Sequence, residues 1–422
     1  TEARRSKQLA EMTEEVGQLV LRNNYLQTQA ISMMAAFTVS RLGTKAHFIA
    51  WLEGRGILDR QLEALPSQEE LDERGAREIG LTRPEMAVLL SYAKITLYPE
   101  LLESDVPEDP YLARELVDYF PSALREKYHG YMDQHRVWRE IIATQVTNSV
   151  INRMGATFVL RMQEDTGATS AEVARAFTIA REVFEAPALW AQIEGLDNQV
   201  GTRVQTDLLL RVWELLRHAT RWLLNRPGHR LDIAASVEAY RPGVQQLVQH
   251  LDAVAVDTWR GAMDRVAEEL SERGVPQEIA RRIAVMDALY PALDIVDIAN
   301  SERRRVEQVG RVYAVLGERF GLKWLRSQIE DLPVDGIWHA NARGALRDDL
   351  YDRHRALTVR VLDASRGGDP DTAVDEWFAE HRMDADRVQH MIGEIQRLSR
   401  IDYATAVVAL RQLEQLVSET GA

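Results

Sequence analysis

The chain has 422 residues, 51 basic and 65 acidic side chains, and a formal net charge of −14. That length fits roughly two or three domains, and the acidic balance disfavours nucleic acid or an anionic membrane as main partner, because both need a basic face. Cysteine is absent, which removes disulfides, thiolate catalysis, iron–sulfur ligation and cysteine-based zinc sites together.

No apolar run approaches the ~20 residues that span a bilayer, and no signal-peptide pattern opens the chain; a soluble cytoplasmic protein is the expectation. Glycine (24) and proline (13) are scarce against usual shares of about 7% and 5%, so turns should be few and elements long. Lysine occurs five times (Lys7, Lys45, Lys94, Lys127, Lys323) against 46 arginines, a bias that reflects GC-rich coding more readily than binding. The chain opens on Thr1 rather than Met, which fits a segment of a longer polypeptide.

In chain order, Gly54-Arg55-Gly56 with Asp59 superficially matches the start of a dinucleotide loop. The third glycine is missing, however, and Phe48, Trp51 and Leu52 read as helix where such a loop needs a strand. A glycine helix stop is expected. Ser67 with Glu70, Thr82 with Glu85, and Thr169 with Glu172 fit the capping box, in which hydroxyl and carboxylate satisfy orphan backbone N–H groups. Asp109-Pro110 reads as an N-cap before a first-turn proline. Stops are expected at Tyr98-Pro99, Arg226-Pro227-Gly228, Gly274-Val275-Pro276 and Arg366-Gly367-Gly368-Asp369-Pro370.

Glu126-Lys127-Tyr128-His129 supplies one Glu-x-x-His; a di-iron bundle needs two copies and two further Glu, so a surface histidine is expected. The ten histidines contain no HExxH, which leaves no zincin spacing. From Leu196 to Pro227, Val200, Val204, Leu208, Val212, Leu215, Ala219 and Trp222 recur every three or four residues. Arg203, Asp207, Glu214, Arg217 and Arg221 take the other face, the pattern of an amphipathic helix on a core. Gln199–Leu224 would run ~39 Å. Val306, Val309, Tyr313, Leu316 and Phe320 repeat the pattern, with Arg303, Glu307 and Arg311 outside.

Asp348-Asp349-Leu350-Tyr351-Asp352 spells DDxxD, which on a helix could hold Mg²⁺ against a diphosphate. The second metal-binding helix of such enzymes has no counterpart, and only 70 residues follow Asp352. Arg347, Arg353 and Arg355 stand ready to neutralise the acids, so a solvated helix face is expected. The nine tryptophans, among them Trp51, Trp138, Trp213, Trp222 and Trp324, sit at helical spacing and read as core.

The sum is an all-α, irregular multi-helix architecture of roughly 15 helices without substantial sheet. Two lobes are one possible arrangement, with Pro66–Gly80 and Arg226–Arg230 as candidate joints. No residue is singled out as catalytic, cofactor-binding or metal-binding.

Longer stretches carry a resemblance. They are Leu21-Arg22-Asn23-Asn24-Tyr25-Leu26-Gln27-Thr28-Gln29, GLTRPEMAVLLSYAKITLYPELL (80–102), RVWREIIATQVTNSVINRMGATFVLRM (136–162), LDNQVGTRVQTDLLLRVWELLRHATRWLLNRP (196–227), YPALDIVDIA (290–299) and YAVLGERFGLKWLRSQIEDLPVDGIWHANARGALRDDLY (313–351). In this order and spacing, from about residue 5 to the end, the chain resembles the C-terminal part of the large bacterial NAD-dependent glutamate dehydrogenases.

That resemblance implies a parent enzyme which oxidises L-glutamate by hydride transfer to NAD⁺, water then releasing 2-oxoglutarate and ammonium. It places the glutamate and NAD sites in an upstream α/β region, so no catalytic or cofactor residue carries over. Residues 1–60 would be helices leaving that region, and 61–422 the helical C-terminal domain. The implied partners are the upstream catalytic domain and further copies in a homo-oligomer, a tetramer, with no nucleic acid or membrane. The segment's own role would be structural or regulatory, limiting or transmitting catalytic-domain motion, with Arg22, Asn23, Asn24, Gln27 and Gln29 as the side chains expected to touch the catalytic region. The alternatives are a stand-alone helical scaffold or interaction module, or a Mg-dependent helical diphosphate enzyme built on Asp348.

Overall fold

The computed structural model describes residues 2–226, 231–334, 337–365, 368–398 and 400–419. Among these, the regular structure is 22 α-helices and one short 3-10 helix, with no strand. The chain divides into two compact units, residues 1–236 and 237–422.

Unit 1 holds α1 (Glu2–Ala36), α2 (Leu42–Gly54), α3 (Gln68–Ala76), α4 (Arg83–Glu103), α5 (Ala113–Tyr119), α6 (Ser122–Met132), α7 (Trp138–Met154), α8 (Phe158–Thr166), α9 (Ser170–Val183), α10 (Ala186–Glu194) and α11 (Thr202–Leu224). Its centre is α9, where Val173, Ala174, Ala176, Phe177, Ile179, Ala180 and Val183 are all buried. A helix apolar on every side is a core helix, and here α4, α7 and α11 pack around it.

The division falls in the first turn of α12 (Ile233–Gln249). Unit 2 continues with α13 (Leu251–Val254), α14 (Asp257–Glu272), α15 (Gln277–Ala284), the 3-10 turn Met286–Leu289, α16 (Ala292–Ser301), α17 (Val306–Arg319), α18 (Leu322–Glu330), α19 (Ile337–Ala364), α20 (Pro370–Glu380), α21 (Arg382–Ile395) and α22 (Tyr403–Glu419). Its central helix is α17, buried at Val309, Gly310, Val312, Tyr313, Ala314, Val315, Leu316 and Gly317.

The three capping boxes form with both reciprocal hydrogen bonds, at Ser67/Glu70, Thr82/Glu85 and Thr169/Glu172. The two periodic stripes become α11 and α17. Leu208, Val212, Leu215, Ala219 and Trp222 are buried as expected, but Arg221 is buried too, 2.7 Å from Asp165, because the last turns of α11 are enclosed on every side. α2 ends at Gly54, and Gly56 takes a positive φ of 67°, a helix stop rather than a phosphate loop.

Three readings need correction. The expected stop at Tyr98-Pro99 is no stop, because α4 runs through Pro99 to Glu103. The carbonyl that loses its donor belongs to Ile95, a residue 55% exposed, so the loss falls on a solvent-facing turn. Asp109-Pro110 starts a turn rather than a helix: the Tyr111 N–H donates to Asp109 Oδ1 and the Leu112 N–H to Asp109 O, and α5 begins only at Ala113. Roughly 15 helices fell short because many breaks use neither glycine nor proline. Glu185 (φ 52°) separates α9 from α10, and His381 alone separates α20 from α21.

Of the candidate joints, Pro66–Gly80 lies inside unit 1 and contains α3, while residues 227–230 of the other lie outside the described residues, as do Arg366 and Gly367 of an expected stop. At Gly80 the loop entering α4 runs against the end of α1. A Cβ there would stand 2.6 Å from the Thr38 carbonyl carbon, and the Thr38 hydroxyl donates to Leu81 O beside it.

Candidate functional site

The residues the sequence placed under suspicion are mostly consumed in structure. Asp349 lies 3.4 Å from Arg353 and Asp348 3.8 Å from Arg347, all on α19. Arg355, expected to serve the same acids, instead reaches Asp297 (2.5 Å) and Asp294 (3.7 Å) on α16, where Tyr240 of α12 also donates to Asp297. The paired acids of the 290–299 stretch thus tie three helices together. Glu126 and His129 are exposed on α6. Among the described residues no group of three or more His, Asp or Glu is arranged to hold a metal ion. Trp190, Trp213, Trp222 and Trp377 are buried, but Trp338, in the first turn of α19, is 81% exposed; helical spacing there did not mean core.

The polar stretch of α1 splits. Arg22 reaches Glu194 Oε2 at 2.6 Å, and the Arg153 guanidinium donates to Glu194 Oε1 (2.8 Å) and Gln29 Oε1 (2.9 Å). Tyr25 donates to Asp197, which also accepts from Gln205. These bonds fasten α1 to α7, α10 and α11. Further out, Glu15 accepts from the Ser122 N–H and hydroxyl at the start of α6; those bonds hold its carboxyl below the usual range, and an acid at a helix N-terminus suits the dipole. Asn23, Asn24 and Gln27 remain exposed. With Leu9, Val16 and Val20, Asn23 and Gln27 share one outward face at the helical repeat, and the three apolar members are 51%, 46% and 54% exposed.

Each unit has its own recess. In unit 1 a cavity of about 50 Å³ lies between α1, α2, α7 and α11, walled by Met33, Met34, Arg41, Lys45, Asn152 and Trp213. Lys45 is buried, and its ammonium donates to the carbonyl of Phe37 just beyond the end of α1. Burial, with Arg41 nearby, pushes it down to about 8. The role is structural: a cation on carbonyls at a helix C-terminus.

A second enclosed recess, about 70 Å³, is in unit 2 and was not visible in the sequence. α17 supplies Tyr313 and Gly317, α18 Leu322, Lys323 and Arg326, and α19 Leu350, Tyr351 and His354; α14 covers it with Trp259, Ala262, Met263 and Val266. The His354 ring stacks on Tyr313 with centroids 3.5 Å apart, and its Nε2 lies 2.8 Å from Tyr313 O. A carbonyl only accepts, so Nε2 carries a proton, and burial, which pushes the pKa down to about 3, leaves the imidazole neutral. Gly317 makes room for that ring, since a Cβ there would stand 3.0 Å from His354 Cε1.

Arg326 donates one long bond, 3.3 Å, to Tyr351 Oη, and its guanidinium lies 4.8 Å from the centre of the Tyr290 ring. Among the described residues the nearest carboxylate, that of Glu330, is 4.0 Å away. Burial raises the pKa of both Tyr313 and Tyr351, so both phenols stay protonated. Sequence reasoning missed these groups because they come from three helices with no motif spacing. One signal was present: Tyr313 sits on the buried stripe of α17, where a hydroxyl needs a partner.

Comparison with known proteins supplies the family. The family described as "Glutamate dehydrogenase, C-terminal" matches residues 78–415. The chain is 38% identical over its whole length to the NAD-specific glutamate dehydrogenase of Halomonas elongata and 39% to that of Pseudomonas aeruginosa. It is 30% identical, over 99% of its length, to that of Mycobacterium tuberculosis. It spans 26% of the length of each of these relatives. No helix among the described residues is long and apolar enough to cross a membrane. The all-helical architecture, the stretches quoted from the sequence and these matches agree: the chain belongs to the glutamate dehydrogenase C-terminal family.

Proposed function

We propose that this chain is the helical C-terminal part of an NAD-dependent glutamate dehydrogenase whose parent reaction converts L-glutamate, NAD⁺ and water to 2-oxoglutarate, ammonium and NADH in the cytoplasm. In this reading, glutamate and NAD bind upstream of the segment, residues 1–60 lead out of that catalytic region, and the full enzyme is a homo-oligomer, a tetramer. The segment's contribution is mechanical: it limits or transmits the cleft motion that dehydrogenase turnover uses.

The observation that carries this is the outward face of α1. Over 35 residues, a length of ~52 Å, α1 is fastened along one side by Glu15, Arg22 and Gln29. Leu9, Val16, Val20, Asn23 and Gln27 stay uncovered on another. A mixed apolar and amide face of this kind suits an intramolecular interface, and relatives about four times longer have polypeptide to cover it. Rigid anchoring on one side and docking on the other is what a strut needs.

The test is made in the full-length enzyme. Val16→Asp with Val20→Asp is expected to lower glutamate-dependent NAD reduction by at least about tenfold, or to dissociate the assembly. Unchanged turnover and assembly, in that variant or after removal of residues 61–422, would refute the mechanical role. The isolated chain is expected to reduce no NAD with glutamate.

A further inference from the structure

We propose that the recess of unit 2 is a binding site for a small organic anion, a carboxylate on a short apolar chain, held between Arg326 and the inner face of α14.

The charge argument comes first. The Arg326 side chain is 17% exposed and donates one long bond to Tyr351, yet among the described residues its nearest carboxylate is 4.0 Å away and its Nε has no hydrogen-bond partner. A guanidinium withdrawn from water needs an acceptor in its place. Tyr313, 2% exposed, adds a hydroxyl that also has no hydrogen-bond partner, and buried hydroxyls rarely stay unpaired. Arg326, Lys323 and Asp287 are the charged residues of the wall; with His354 neutral, the lining carries two cations against one carboxylate. An arginine fork and a phenol are the donors that suit a carboxylate.

The second argument is the apolar half. Trp259, Ala262, Met263 and Val266 follow the i, i+3, i+4, i+7 spacing of a core-facing stripe, and all four line the recess. None of them is fully buried; in α14 only Leu270 is. A helix that turns its apolar stripe towards a cavity and leaves it half-covered is completed by an apolar body placed in that space. Water fills the part of that space against α14 poorly, since an ordered water needs two to four polar partners and that wall is apolar. At about 70 Å³ the recess suits a chain of roughly three or four carbons, being about half the ~150 Å³ that admits benzene.

The probe is butanoate, compared by saturation-transfer NMR with its neutral isostere butanamide and with acetate, using the full 422-residue chain. Butanoate is expected to bind, with butanamide and acetate each at least about tenfold weaker, and to slow hydrogen exchange in α14. Arg326→Gln should remove the preference for butanoate over butanamide. Ala262→Phe, which fills the recess and leaves Arg326 in place, should abolish binding of both. No butanoate binding at about 50 mM, equal binding of the amide, or butanoate binding that survives both substitutions in folded protein would overturn the proposal. Were either variant to unfold, the comparison of the three probes and the exchange of α14 in the unaltered chain would still decide it.

Discussion

Unit 1 and unit 2 handle buried charge differently. In unit 1 the buried arginines sit against carboxylates: Arg153 on Glu194, Arg181 between Glu182 and Glu115, Arg221 on Asp165. Glu182 also receives Arg114 from α5 side of the core. Apart from Arg181 and Glu182, neighbours on α9, these links join different helices, so the charges act as fasteners. Unit 2 has clasps between helices too, among them Arg355 with Asp294 and Asp297 and Arg311 with Asp371, but Arg326 faces a recess with a distant carboxylate. A paired interior charge fixes a structure; an underpaired one at a cavity leaves a place to be filled.

The sharpest test of that contrast removes one side of each arrangement. Glu194→Leu leaves Arg153 enclosed without its counter-ion and should cost about 3–5 kcal/mol, read as faster hydrogen exchange of the α7 and α10 amides. Arg326→Met, which exchanges an underpaired cation for an apolar side chain, should change stability by no more than about 1 kcal/mol or raise it. Equal losses in the two variants would erase the distinction.

The next effect is acid sensitivity in unit 2. His354 is neutral when folded, with a pKa near 3, against ~6.5 in the unfolded chain. As pH falls below ~6.5 the unfolded state takes up the proton first, so stability drops progressively until about pH 3. Between pH 7.5 and pH 5 this residue alone should remove about 2 kcal/mol, and His354→Asn should flatten that slope in denaturation curves. A smaller loss is expected from Gly317→Ala, about 1–2 kcal/mol, because the locked imidazole must yield to the added methyl. Smallest is Asp349→Ala, within about 0.5 kcal/mol by thermal unfolding, since it removes an exposed pair on one helix.

Much of the fold was legible where local rules act alone. A capping box needs four consecutive residues, and Thr82 to Glu85 holds whatever surrounds it. The α17 stripe needed only its period. What was illegible depended on the environment: Pro99 continues a helix because Ile95 faces water, and Trp338 shares the spacing of buried tryptophans while lying uncovered. The recess was hidden for the same reason. Tyr313, Arg326 and His354 mean nothing at 13 and 28 residues apart until α17, α18 and α19 bring them together. In unit 1, the bonds of Gln29 to Arg153 and of Arg22 to Glu194 were equally hidden, because they depend on where α7 and α10 lie.

The thin anchoring of α14 has a consequence for proteolysis. A helix with one fully buried leucine detaches at a small fraction of the free energy that holds the whole unit together. Cleavage by trypsin at Arg260 and Arg265, both exposed on that helix, is expected to need that detachment, and its rate reports how firmly the helix is seated.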